Sequence, residues 1–186
     1  MVTLTQLWLP ILVSAVFVFI ASSLIHMVLP YHKSDYKRFK DEDGVMETLR
    51  KMGDPGGDYL FPCPVNREQM KDPAFQEKWK KGPVGFVTLI DPGQQSMAGN
   101  LIKWFIYCLV VGVFAGYVAG RALPAGSHYL KVFRFAGVTA FSGYCLALWQ
   151  NTIWYKRAWT TTFKSTVDGL IYAGLTAGTF GWLWPK

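Results

Sequence analysis

Four apolar stretches, Leu7 to Leu29, Leu101 to Leu123, Phe135 to Tyr155 and Val167 to Pro185, constrain this chain more than any other feature. An α-helix rises about 1.5 Å per residue and a bilayer's hydrocarbon core is about 30 Å thick, so about 20 mostly apolar residues suffice to cross it. Each stretch is near that length. The expected fold is an all-α membrane protein with four transmembrane helices. Residues 1–29 hold the first helix, 30–100 form a polar insertion on the membrane surface, and 101–186 form a three-helix region with an interfacial connector at 151–166. A cleaved signal peptide would need a basic leader, and Met1 to Leu7 carries no Lys or Arg, so the first stretch reads as an uncleaved span.

The net charge of +7 raises the question of nucleic acid, and its location answers it. Residues 32–100 hold eleven Lys or Arg and eleven Asp or Glu, which cancel. The excess lies in the apolar half, where Lys103, Arg121, Lys131, Arg134, Lys156, Arg157, Lys164 and Lys186 face a single acid, Asp168. Charges at span ends meet lipid head groups. Membrane lipids are therefore the expected partner, and nucleic acid is not.

Four spans put both termini and the second connector on one side, and the insertion and third connector on the other. Lys33, Lys37, Arg38 and Lys40 follow the first span closely, which places the insertion in the cytoplasm and both termini outside. Tryptophan favours the lipid–water interface, and two bands emerge: Trp8, Trp182 and Trp184 on the terminal side, and Trp104, Trp149 and Trp154 on the other.

Helices in lipid associate through close contact between small residues. Gly112, Gly116 and Gly120 form one such face; Gly169, Ala173, Ala177 and Gly181 form another. These faces serve packing within the bundle or contact with partner subunits or further copies of the chain. Asp168 reads as the start of the fourth helix, with Lys103 as its ion-pair candidate. In the third connector Trp154, Lys156, Arg157, Trp159 and Lys164 read as lipid head-group contacts.

Within the insertion, Asp41, Glu42 and Asp43 precede an amphipathic run that ends in Arg50, Lys51 and Gly53, the signature of a short helix. GDPGGD is a turn. Asp72 and Pro73 start a second helix that stops at Gly82. Tyr59-Leu60-Phe61 and the run from Phe86 to Ile90 read as two short strands that pair with one another.

Chemistry is thinly written. The three cysteines, Cys63, Cys108 and Cys145, form no CxxC pair, and no HExxH, GxSxG or P-loop is present. Two histidines, His26 and His32, fall on the insertion side and His128 on the other. His26 and His32 flank Pro30, which suits opposing haem ligands poorly. With Asp35, and with Cys108 or Cys145 from neighbouring helices, they are the metal-ligand candidates, although nothing in the sequence fixes their geometry. No cofactor is expected.

The stretches HMVLPYHKSDY, FAGYVAGRALPAG, YLKVFRFAGVTAF, IWYKRAW and DGLIYAGLTAGTFGWLWP resemble bacterial four-span membrane proteins over nearly the whole chain. The resemblance implies a bacterial inner membrane and brings no activity with it. The expected role is a non-catalytic accessory or assembly subunit of a larger membrane complex. A small oligomeric transporter or channel, and a membrane enzyme or metal or cofactor binder, are the alternatives.

Overall fold

The computed structural model describes residues 1–53, 56–91, 93 and 96–186. The chain is mostly helical and divides into two compact units, Met1–Lys37 with Met97–Lys186, and Arg38–Ser96.

The first unit is a bundle of long helices. Helix α1 (Trp8–Ser23) is preceded by a 3₁₀ turn and runs on into a π turn, Leu24–Val28, closed by the bond from Leu29 N–H to the Leu24 carbonyl at 3.2 Å. Helix α4 spans Met97–Ala122. Helix α5 (Tyr129–Phe141) passes through a second π turn, Ser142–Leu146, into α6 (Leu148–Tyr155). Three continuous helices, Leu4–Val28, Met97–Ala122 and Tyr129–Tyr155, are long and apolar enough to cross a membrane. The last, α7 (Trp159–Trp182), has 24 residues, about 36 Å at the usual rise, but mixes Thr, Lys and Asp with its apolar residues.

Two helix starts differ from the sequence reading. The third apolar helix begins at Tyr129 rather than Phe135, because His128 caps it by accepting from Leu130 N–H at 3.3 Å. The last begins at Trp159 rather than Val167. After α6, Lys156 adopts a left-handed conformation (φ 56°) and its ammonium donates to the Ile153 carbonyl at 2.9 Å, which ends that helix and lets the chain restart within three residues.

Large apolar side chains line the outside of the bundle, and several polar ones are buried within it. Trp8, Leu12, Ile20, Ile106, Phe114, Val138 and Leu170 are exposed, while Ser14, Ser22, Thr152, Thr161, Thr162, Asp168, Thr176 and Thr179 are buried. The buried hydroxyls are satisfied locally. Thr176 and Thr179 donate to carbonyls one turn back, at 2.9 and 2.7 Å, and Thr152 bonds to Thr162 between α6 and α7.

Two apolar clusters fill the interior. One joins Leu7, Ile11, Ala115, Ala119, Val132, Ala136 and Phe180; the other joins Ala15, Val18, Ile25, Cys108, Val111, Ala140 and Tyr172. Both small-residue faces are spent inside the bundle. Gly112 lies against Ile11, Gly116 against Phe180 and Leu7, Gly169 against Cys145, and Gly181 against Tyr129; Ala173 and Ala177 are buried. Gly120 is the closest approach of backbones: a Cβ there would lie 2.6 Å from the Val2 carbonyl oxygen, beside the bond from Val2 N–H to the Gly120 carbonyl. Gly120→Ala is expected to lower stability by about 1–3 kcal/mol by displacing the amino-terminal segment, read as a lower thermal midpoint in detergent.

The second unit is small. Helix α2 (Glu42–Met52) is capped by Asp41, which accepts from Gly44 N–H at 3.0 Å, and stops at Gly53 with φ 69°. Helix α3 (Pro73–Lys81) is capped by Asp72, which accepts from Ala74 N–H at 3.2 Å. Strands β1 (Gly57–Phe61) and β2 (Gly85–Leu89) pair antiparallel with Tyr59 opposite Val87. The middle of the GDPGGD turn, Asp54 and Pro55, lies outside the described residues. No residue of α2 or α3 is buried.

Candidate functional site

At one end of the bundle the chain leaves the first long helix, turns through Pro30–Ser34, and returns a set of polar side chains onto α7. Pro30 ends the helix and fixes the turn, so Tyr31, His32 and Asp35 fall against one face of α7. That face carries Lys164, Asp168 and Tyr172, spaced by four residues and therefore stacked on one side of the helix.

The contacts close into a network. His32 Nδ1 lies 2.6 Å from Asp35 Oδ2, and His32 Nε2 lies 2.8 Å from Asp168 Oδ2. The Tyr31 hydroxyl bonds to the other Asp168 oxygen and also reaches the Lys164 carbonyl at 3.1 Å. The Lys164 ammonium donates to the Tyr31 carbonyl at 2.5 Å, to Ser34 Oγ at 2.8 Å and to Asp35 Oδ1 at 2.9 Å. The carboxylates are well enclosed, at 7% exposure for Asp35 and 4% for Asp168. Among the described residues no buried side-chain nitrogen or oxygen lacks a partner.

A neutral imidazole donates from one nitrogen only, yet both His32 nitrogens face a carboxylate. One proton beyond a neutral ring is therefore shared across Asp35, His32 and Asp168. With it and Lys164 the two carboxylate charges are balanced, which a cluster so enclosed needs. Burial alone would raise the Asp35 carboxyl, but hydrogen bonds from His32 and Lys164 outweigh it and hold the group below its ordinary 3.8. Burial, then the bond to Asp168, push the Tyr31 phenol above its ordinary 10.

His26 completes the set from the first π turn. Its ring centroid is 4.4 Å from that of His32, and its Nε2 is 3.5 Å from the Tyr172 hydroxyl. A π turn inserts one residue into the helix and often marks a functional position. The second π turn carries Tyr144 and Cys145 to the same end of the bundle, where Tyr144 stacks edge-on with Tyr172 at 5.5 Å and Trp104 lies 6.0 Å from Tyr172.

The sequence candidates are thus partly regrouped. His32 lies beside His26 and is bonded to Asp35, but Asp35 holds the far nitrogen of His32, and the carboxylate grouped with both rings is Asp168. Asp168 lies nine residues inside α7 rather than at its start, and its partners are Tyr31 and His32 instead of Lys103, which is exposed. Lys164, expected among lipid head groups, is drawn into the cluster by Asp35. Trp154 and Trp159 are exposed, and Arg157 is too. Cys108 and Cys145 are buried, and Cys145 donates weakly to the Thr166 carbonyl at 3.7 Å.

The sequence did carry a signal for the missed residues. Lys164, Asp168 and Tyr172 recur every fourth residue, the spacing of one helix face, once α7 is extended back to Trp159. No family model matches the chain, nor does any curated protein or solved structure.

Proposed function

We propose that the protein is an integral membrane protein of four spans in a bacterial inner membrane, working as a binding protein through the polar cluster at the cytoplasmic end of its bundle. The observation that carries this reading is the pair of enclosed carboxylates, Asp35 and Asp168, gripping one imidazole among helices whose outer faces are apolar. Ionisable groups at membrane depth are costly and mark sites by default.

Helix α7 serves as the fourth span. Its outward residues, Trp159, Phe163, Val167, Leu170, Ile171 and Trp182, are exposed and apolar, while from Thr161 onward its Thr, Lys and Asp residues turn inward. That division explains why its overall hydropathy is modest. The basic flank from Lys33 to Lys40 supports a cytoplasmic insertion. The apolar filling of the interior speaks against a channel within one bundle.

A test of orientation uses the wild-type cysteines, since Cys63 is exposed and Cys108 and Cys145 are buried. A membrane-impermeant maleimide is expected to leave Cys63 unlabelled in intact cells and to label it after permeabilisation; labelling in intact cells contradicts the orientation. The binding role is tested by native mass spectrometry of the full chain in mild detergent. Wild type is expected to carry a bound species that Asp168→Asn loses. Bare chains in both samples overturn the binding role.

The accessory or assembly role is a second reading, favoured by the unit Arg38–Ser96. Neither of its helices has a buried residue, and it holds an apolar groove of about 330 Å³ lined by Leu60, Met70, Phe75 and Trp79. A unit with so little core gains from a partner surface. In the same native spectra this reading predicts a partner subunit or a second copy of the chain.

A further inference from the structure

We infer that the species bound at the cluster is a divalent transition-metal cation of the zinc class, ligated by His26, His32 and Asp168. The inference rests on the reading of the cluster as a binding site and names its ligand. Each of the three residues offers one ligand atom, and these atoms all lie within 4.8 Å of one another. A zinc-class ion with bonds of about 2.0–2.2 Å holds tetrahedral ligand atoms about 3.4 Å apart, so His32 Nε2 and Asp168 Oδ2, now 2.8 Å apart, must open by about 0.6 Å while His26 closes on them. His26 makes the larger move. It is exposed, and its polar contact is the 3.5 Å approach to Tyr172, whereas His32 and Asp168 are each fixed by two partners.

The surroundings match what such a site needs. His32 presents Nε2 to the centre because Asp35 holds Nδ1 at 2.6 Å, the carboxylate–histidine arrangement that fixes the tautomer and ring orientation of metal ligands. Asp168 is likewise oriented by the Tyr31 hydroxyl on its other oxygen. Lys164, by pairing with Asp35 at 2.9 Å, keeps the supporting carboxylate in place without occupying the centre. Two imidazoles and one carboxylate form a nitrogen–oxygen donor set suited to iron, cobalt, nickel or zinc, and not to calcium or magnesium, which prefer oxygen. The ion takes the place of the proton between His32 Nε2 and Asp168, and that proton leaves to solvent. Three protein ligands leave a tetrahedral ion one position for water or a further ligand. The exposed side of His26 is the way in.

The test uses the full chain in mild detergent, stripped with chelator and titrated with Co²⁺ alone and with Zn²⁺ alone. Wild type is expected to take one ion per chain, with visible absorption from bound Co²⁺. Asp35→Asn should weaken binding about 10- to 100-fold by freeing the His32 ring, and His26→Ala by more. His26→Ala is the decisive variant because His26 is exposed and its polar contact is the long 3.5 Å approach to Tyr172, so circular dichroism and elution volume should be unchanged. His128→Ala should bind as wild type does. A wild-type chain that takes neither ion, or a His26→Ala variant that binds equally well, overturns the inference. So does a non-metal adduct in the native spectra, which would leave the binding role standing.

Discussion

Asp168→Ala is expected to lower the stability of the solubilised protein by about 3–5 kcal/mol, the cost of removing one member of an enclosed, fully bonded charge cluster. The size follows from what is left behind. Tyr31 loses one of the two acceptors of its hydroxyl and keeps the Lys164 carbonyl, His32 loses the partner of Nε2, and the proton it shares is left without its balancing carboxylate. The turn from Pro30 to Ser34 is held to α7 through these bonds, so it should come loose before the bundle does. Limited proteolysis at the exposed Lys33 and Lys37 should be faster in the variant, and the thermal midpoint by near-ultraviolet circular dichroism lower. A shift within error of wild type would mean the cluster does not hold the turn.

Lys164→Met is expected to cost about 2–3 kcal/mol, because methionine keeps the side chain's bulk and removes three bonds, two of them to the Tyr31 carbonyl and Ser34 and one to the Asp35 carboxylate. The variant also has a pH signature. Asp35 has a folded-state pKa below its ordinary 3.8, so its contribution to stability is present above that value and is lost as pH falls through the lower folded value. Removing one of the two groups that depress it moves the onset of acid loss toward higher pH. Thermal midpoints measured across the acid range for wild type and variant read this directly; superimposable profiles would contradict it.

Local chemistry explains how much of this was legible from sequence. Helices α2 and α3 and the β1–β2 pair follow from caps, a proline, stop glycines and short apolar runs, all signals within a few residues. The long apolar helices follow from length and composition. The site was harder because His32 and Asp168 are separated by 136 positions and nothing local announces their meeting. A second obstacle was the start of α7. Its first turns, WTTTFKST, read as a surface connector because their polar residues are judged against lipid, whereas Thr161 and Thr162 are buried and Thr162 bonds to Thr152. Once the helix is extended back to Trp159, Asp168 moves from a helix end to a helix interior, and its neutralisation becomes a structural requirement.

The small-residue faces show the same dependence on context. The spacing of Gly112, Gly116, Gly169 and Gly181 favoured the chain's own bundle over partners without deciding it, and each is covered by a side chain of its own bundle. What sequence spacing gives is the face; which neighbour fills it depends on the order in which helices pack.

We infer that one end of the helical bundle is built around a metal centre of two imidazoles and one carboxylate. X-ray absorption at the cobalt edge of the Co²⁺-loaded full chain tests it most directly. The account predicts scattering from two imidazole rings with the remaining ligands oxygen, and one ring in His26→Ala. A spectrum with no imidazole scattering, or with sulfur in the first coordination sphere, would contradict it.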